Sequence, residues 1–242
     1  GFWFGFLILI LLLFAKTAQL QILENETFFQ RSEENRFAIR LIQAQRGVIY
    51  DKDLNQLVFN KPSFDFVCDG KVVSENLIHQ DLIFYEVKIN EYPGCAIENN
   101  TAREYLAGSI FSQVIGYQRK TGGKTGLEDY YDALLKAKPG EVQVSRDVYG
   151  NPLSREIISQ PASGQSLVLY LDAKLQEKLN QALEKTVKST GAKGASAVAL
   201  DPETGGVLAL VSLPSFDNNL FSQGITQEEW NILEKDFKTP LF

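Results

Sequence analysis

The stretch Gly123-Lys124-Thr125-Gly126-Leu127-Glu128-Asp129-Tyr130-Tyr131-Asp132 (GKTGLEDYYD, 123–132) contains two tripeptides with chemical meaning. Gly-Lys-Thr closes a phosphate-binding P-loop, and Lys-Thr-Gly is a substrate-positioning box in acyl-transfer enzymes that use a Ser-x-x-Lys nucleophile. The P-loop needs a glycine at 118, where the chain has Gln118. The acyl-transfer box needs its nucleophile, and no serine in the sequence has a lysine three positions on. Ser74-Glu75-Asn76 matches the accompanying Ser-x-Asn by letters alone. Lys124 also opens a helical pattern rather than a strand: GLEDYYDALLKA reads as a short helix closed by Pro139-Gly140. The stretch is therefore read as a turn leading into a helix.

Working outward, the 242-residue chain is 44% hydrophobic and 22% charged, an ordinary balance for a folded protein. Its net charge of -6 argues against a phosphate-backbone binder, so no nucleic-acid partner is expected. One histidine, His79, and two cysteines, Cys68 and Cys95, fall short of a usual zinc ligand set, and neither a metal nor a cofactor is expected.

The N-terminal run GFWFGFLILILLLFA is apolar from Gly1 to Ala15, and Lys16 closes it. With no Met anywhere and a start inside this run, the sequence is expected to be truncated at its N-terminus, and KTPLF suggests the same at the other end. The run suits a membrane span or a signal-peptide core. Lys16 makes cleavage after Ala18 a poor fit, which favours an uncleaved single-pass anchor over residues 1–18 with the remainder extracytoplasmic. In such a compartment Cys68 and Cys95 either form a disulfide or remain two buried thiols. Asn25-Glu26-Thr27 and Asn99-Asn100-Thr101 are sequons that matter only in a glycosylating host.

Residues 19–45 read as a helix or extended stalk. Val48 to Tyr50 and Gln56 to Phe59 read as a hairpin, FDFVC and FYEVKI as further β runs, and residues 140–158 as two strands around the turn Tyr149-Gly150-Asn151-Pro152. After Gly164, LVLYLD reads as an apolar strand. Asp172 can cap a helix with Leu175, Leu179, Ala182, Leu183 and Val187 on one face, read as core packing, and Gly191 can end it. Glu184 and Lys188 are spaced to pair along this helix. Residues 195–200 and 207–212 form a hairpin around Asp201-Pro202-Glu203-Thr204-Gly205. Both hairpin strands are apolar on both faces, so the hairpin should be covered on both sides. A short helix is expected near TQEEWNILEKD.

Taken in order, these blocks resemble class B penicillin-binding proteins, most closely the elongation-type branch. The first block carries Asn35, Arg36, Arg46, Gly47, Ile49, Asp51, Lys52, Leu57, Val58 and Asn60 at the positions of the family's opening motif. Arg103, Tyr105, Gly108, Gly116 and Tyr117 match a second block. Gly123, Gly126, Leu127, Glu128, Tyr131, Asp132, Leu135 and Gly140 match a third. GQSLVLYLDAKLQEKLNQAL and VALDPETGGVLALVSLPSFDNNLF, with Asp201, Pro202 and Gly205, resemble the start of the transpeptidase domain, and TPLF the run shortly before its nucleophilic serine. The sequence departs from the family at Leu54 (usually Gly, so Asn55 is expected to serve the turn instead), Leu106 (usually Pro), Ser112-Gln113 (usually Ala-His) and Ala137 (usually Gly). The head at 65–100 is also shorter.

The resemblance implies an α+β fold: a membrane anchor (1–18), a β-rich elongated pedestal of the dimerisation type (19–162), and the first elements of a serine transpeptidase, β-lactamase-like domain (163–242). It implies a D,D-transpeptidase that cross-links stem peptides in cell-wall synthesis and binds penicillin, with its serine expected beyond Phe242, so that this stretch alone should be inactive. The implied partners are the bacterial cytoplasmic membrane, peptidoglycan stem peptides and a membrane glycosyltransferase. The matching residues are expected to be structural, with Arg46–Asp51 and Arg103–Glu128 as candidate ion pairs. The alternative is a non-catalytic membrane-anchored scaffold that binds a cell-wall glycosyltransferase.

Overall fold

The computed structural model describes residues 2–23, 36–77, 79–119, 122–147 and 152–235. Residues 24–35 of the stalk segment, with the Asn25 sequon and Asn35, the turn residues Tyr149, Gly150 and Asn151, and TPLF lie outside the described residues. The fold is mixed α/β and divides into two units, 1–42 with 139–161, and 43–138 with 162–242.

In the first unit the apolar run forms a helix, Phe2–Ala18, extended by a π-helical turn, Gln19–Leu23. The segment Trp3–Gln21 is long and apolar enough to cross a membrane, and none of it is buried within the protein. The same unit holds an antiparallel sheet in the order β1 (Phe37–Ile42), β6 (Gly140–Arg146), β7 (Pro152–Ser159). The expected strand pair at 140–158 is thus present, with Gln143 opposite Glu156, and β1 adds along the other edge of β6.

The second unit is built on β3 (Gln56–Cys68), one 13-residue strand where two separate runs were expected. It pairs with β5 (Cys95–Tyr105) without interruption from Val58↔Tyr105 to Cys68↔Cys95. Pro62 offers no N–H but is exposed in this ladder opposite Thr101, so the pairing runs through it. The cysteines end up directly opposite and joined in a disulfide. Between them lie β4 (Lys71–Ser74) and a helix, His79–Lys88. That helix corrects the reading of FYEVKI as β-like. Leu82, Tyr85 and Ile89 recur at helical spacing as the half-buried positions, and Tyr85 stacks on Phe66 of β3 at 4.2 Å.

On the far side of β3, β2 (Ile49–Tyr50) pairs antiparallel with it and parallel with β8 (Leu167–Val168). LVLYLD therefore contributes a two-residue strand rather than a long one. The core gathers Ile49, Leu57, Val58, Tyr105, Phe111, Ile115, Leu135 and Leu171.

The helix Ala173–Thr190 begins and ends as its caps dictate. Asp172 accepts a hydrogen bond from the Leu175 N–H at 3.0 Å, and Gly191 takes φ 71°. Its buried residues are Gln176 and Asn180, whereas Leu175, Leu179, Leu183 and Val187 are half-buried and Ala182 exposed. Four of the five expected apolar residues thus form the inward face, half-buried rather than fully buried, and only Ala182 falls outside it. Gln176 is buried on the same face because its amide completes main-chain groups: Nε2 donates to Ile110 O and Leu210 O, and Oε1 accepts from Leu210 N. Glu184 accepts from Asn180 Nδ2 at 2.9 Å.

Ala195–Leu200 (β9) and Val207–Leu213 (β10) form the expected antiparallel hairpin. It is not covered on both sides among the described residues: Val198 and Leu200 are 59% and 58% exposed. The last helix, Gln227–Lys235, opens on a reciprocal cap in which Thr226 N donates to Glu229 Oε2 and Glu229 N to Thr226 Oγ1.

Candidate functional site

The family-like blocks converge on one buried carboxylate. Gly126 starts a one-turn helix, Gly126–Tyr130, and a second follows at Asp132–Leu135, so the single expected helix is broken at Tyr131. The break lets Glu128 point inward with no exposed surface while Asp132 stays one-quarter exposed. Arg103 Nε donates to Glu128 Oε1 at 2.8 Å, which is the expected pair. Arg46 does not pair with Asp51. Its Nε donates to Glu128 Oε2 at 2.9 Å, its Nη1 to Asp132 Oδ1 at 2.6 Å, and its Nη2 to the Glu128 carbonyl at 3.0 Å. Five residues in sequence cannot bring Arg46 round to Asp51, because Asp51 is occupied by its own turn. It accepts from the N–H groups of Asp53 and Asn55 and from Asn55 Nδ2. The left-handed position in that turn falls on Leu54 itself, at φ 64°, and not on Asn55 as expected.

Sequence reasoning named Asn60 as a family match without a role and set Lys124 aside. Asn60 Oδ1 accepts from Arg103 Nη1 at 3.0 Å, and its Nδ2 donates to the Arg46 carbonyl at 2.6 Å. Lys124 Nζ reaches Asp132 Oδ2 at 2.5 Å. Its signal was present as a lysine eight residues before an aspartate across a glycine-led turn, but that spacing is not specific. Burial pushes the Asp132 carboxyl up, and the hydrogen bonds and charges of Lys124 and Arg46 outweigh it, leaving the group below its ordinary value. Asp51 is likewise held low by the Asn55 and Asp53 donors against burial. Burial, then the Glu128 charge, pushes the Tyr105 hydroxyl far up. That hydroxyl accepts from the Gln118 N–H at 2.9 Å.

The glycines serve close approach. Gly116 and Gly126 both take positive φ, at 70° and 61°, and a Cβ on Gly116 would lie 2.0 Å from the Thr125 carbonyl. Gly47 donates its N–H to Leu135 O, and a Cβ on it would lie 1.9 Å from Gln165 O. Gly108 sits against the Asp217 carboxylate. Tyr117 stacks on Phe221 at 3.9 Å. Leu127 is half-buried, and Tyr131 packs against the core. Asp201, Pro202 and Gly205 are apart from this assembly in the hairpin turn. There Asp201 accepts from Glu203 N and Thr204 Oγ1, and Gly205 takes φ 71°. No group of three or more His, Cys, Asp or Glu able to hold a metal occurs among the described residues. The arrangement neutralises charge and fixes backbone, and it presents no nucleophile with an adjacent base.

The domain family described as Penicillin-binding Protein dimerisation domain matches residues 69–169. Curated proteins similar to the chain include the peptidoglycan D,D-transpeptidase MrdA of Acinetobacter baumannii, at 30% identity over 98% of this chain and 43% of that protein. MrdA of Escherichia coli K12 matches at 28% identity over 98% of this chain and 46% of its own length. The chain thus spans less than half the length of these relatives. Among solved structures, a chain from a peptidoglycan synthase complex coordinating polymerization and crosslinking matches with a TM-score of 0.62 and 28% identity, covering 99% of this chain and 50% of that one. Penicillin-binding protein PBP2 of Helicobacter pylori, solved in complex with MreC, has a TM-score of 0.72 at 21% identity over 85% of this chain and 48% of its own. It supports the fold alone.

Proposed function

Because the chain carries a penicillin-binding protein dimerisation domain and is homologous to MrdA peptidoglycan D,D-transpeptidases along 98% of its length, we propose that these residues form the non-catalytic, membrane-anchored front part of a peptidoglycan D,D-transpeptidase. In this reading residues 1–18 are the anchor, 19–162 the pedestal and 163–242 the opening of the transpeptidase domain. The Arg46–Glu128–Arg103–Asp132–Lys124 assembly acts as a strut that fixes the pedestal, and Asp201-Pro202 with Gly205 turns the first hairpin of the catalytic domain. The chemistry proposed for the whole protein is attack of a serine on a stem-peptide amide, followed by transfer of the acyl group to a neighbouring amine. The proposed location is the bacterial cytoplasmic membrane with the bulk extracytoplasmic, and the proposed partner is a membrane glycosyltransferase of the cell-wall synthesis machinery.

The observation that carries this reading is the alignment of nearly the whole chain with D,D-transpeptidases, together with the absence of any Ser-x-x-Lys within its 242 residues. The test is labelling with a fluorescent penicillin. The 242-residue chain should take no label, and the product of the encoding locus read through past codon 242 should take it at a serine of a Ser-x-x-Lys motif. A read-through product that lacks such a serine and stays unlabelled would replace the enzyme with a scaffold that works by binding alone.

A further inference from the structure

The residues matched to the dimerisation domain, 69–169, hold a helix that lies outside them, Asn218–Gln223. Asn219 Oδ1 accepts from the Tyr105 N–H, and its Nδ2 donates to the Tyr105 carbonyl, both at 2.9 Å. Tyr105 ends β5, which among the described residues pairs only with β3. The Asn219 amide therefore stands where the peptide group of a neighbouring strand would, and it satisfies both main-chain groups of Tyr105 at once. Asn218 Nδ2 donates to the Gly116 carbonyl, and Asn76 Nδ2 donates to the Ser222 carbonyl at 3.2 Å. Phe221 of the same helix is buried and stacks on Tyr117.

Tyr105 is itself a fixed point. It belongs to the core, its hydroxyl accepts from the Gln118 N–H, and the same strand carries Arg103 onto Glu128. The helix is thus tied to the strut through main-chain atoms, which do not shift with a rotamer. Gly108 permits the close approach. A Cβ there would lie 2.1 Å from Asp217 Oδ1, the oxygen that accepts from the Asn219 N–H and caps the helix. Few side chains could replace Asn219, since aspartate lacks the donor and glutamine is one methylene longer. We propose, resting on the transpeptidase reading above, that Asn219 is a positioning residue for the acylation step. It holds the helix Asn218–Gln223, from which the chain runs on towards the expected serine, in the place set by the strut. Asn219 acts through this helix and not on the reacting atoms.

The test uses the full-length read-through product and a fluorescent penicillin. The acylation rate at saturating penicillin and the half-saturating concentration are measured separately, per folded molecule. Asn219→Ala should slow saturated acylation by about tenfold or more and leave the half-saturating concentration unchanged, because a misplacement on the order of 1 Å costs up to about 100-fold in rate. Asn219→Gln keeps both polar groups on a longer arm and should recover part of the rate. Gly108→Ala pushes on the same helix without altering the Asn219 amide. It should slow acylation in the same way, and it carries the test if Asn219→Ala does not fold. A parent that labels, with both alanine variants acylated at the parent rate, overturns this inference and leaves the transpeptidase reading intact. A loss of label that follows only the unfolded fraction makes Asn219 a stability residue and overturns it equally. A parent that takes no label ends the transpeptidase reading, and this inference with it.

Discussion

Glu128 has no exposed surface and lies between two guanidinium groups, so its charge is tolerable only while both remain. Removing one partner from such a buried pair typically costs about 3–5 kcal/mol, because the remaining charge is left uncompensated. Asp132 makes this assembly sensitive to acid. Its carboxyl is held below its ordinary value by Lys124 and Arg46 in spite of burial. A carboxyl depressed in the folded state contributes stability that is fully present above its unfolded value, near 4, and is lost as pH falls through the folded value. The denaturation midpoint of the parent chain should therefore exceed that of Asp132→Asn at pH 7, and the gap should close as pH drops below about 4. A gap that stays constant from pH 7 to pH 3 would show that Asp132 is not stabilised as a charged group. Half of this assembly was legible in the sequence. Arg103 and Glu128 were paired correctly because both belong to ordered blocks. Arg46 was assigned to Asp51 by proximity along the chain, and only the fold shows that the Asp51 carboxylate is filled by the donors of its own turn.

At the scale of elements, local signals that carry a specific geometry read true. Asp172 and Gly191 bound their helix as caps do, and the Asp201–Gly205 turn closes its hairpin. Signals that depend on what lies opposite did not. FYEVKI is apolar and aromatic enough for a strand, and it becomes helical because Tyr85 finds Phe66 on β3 to stack against. Gln176 gave no hint of burial, since an amide enters a core only where main-chain groups wait for it. The head between β3 and β5 is tied by Cys68–Cys95, 27 residues apart in sequence. A closed loop of that size restricts the unfolded chain by about 3–4 kcal/mol. Reduction should lower the unfolding midpoint by a corresponding amount. Hydrogen exchange should quicken first at β4 and at the helix His79–Lys88, while the main chain around Glu128 stays protected. Uniform quickening across all of these segments would show that the head is not a separate cooperative element.

For the molecule as a whole, the apolar N-terminal helix and the disulfide are two independent statements about compartment, and each can report on the other. Trp3–Gln21 is long and apolar enough to span a bilayer, and a disulfide persists only where the surroundings are oxidising. If the helix is the anchor that carries the body out of the cytoplasm, breaking it should leave the cysteines reduced. Leu11 and Leu12 lie near the middle of the span, where each arginine costs roughly 2.5–3.5 kcal/mol of insertion free energy. Leu11→Arg combined with Leu12→Arg should release the chain from the membrane fraction under alkaline extraction. A maleimide-linked polymer should then shift both Cys68 and Cys95 in the variant and neither in the parent chain. A variant that leaves the membrane yet stays resistant to the maleimide would uncouple export from this helix and assign it to another segment. A parent chain that is extractable and doubly labelled would remove the membrane assignment altogether. The two readouts respond to different physics, hydrophobic insertion and thiol redox state, so their agreement cannot arise from one misread segment.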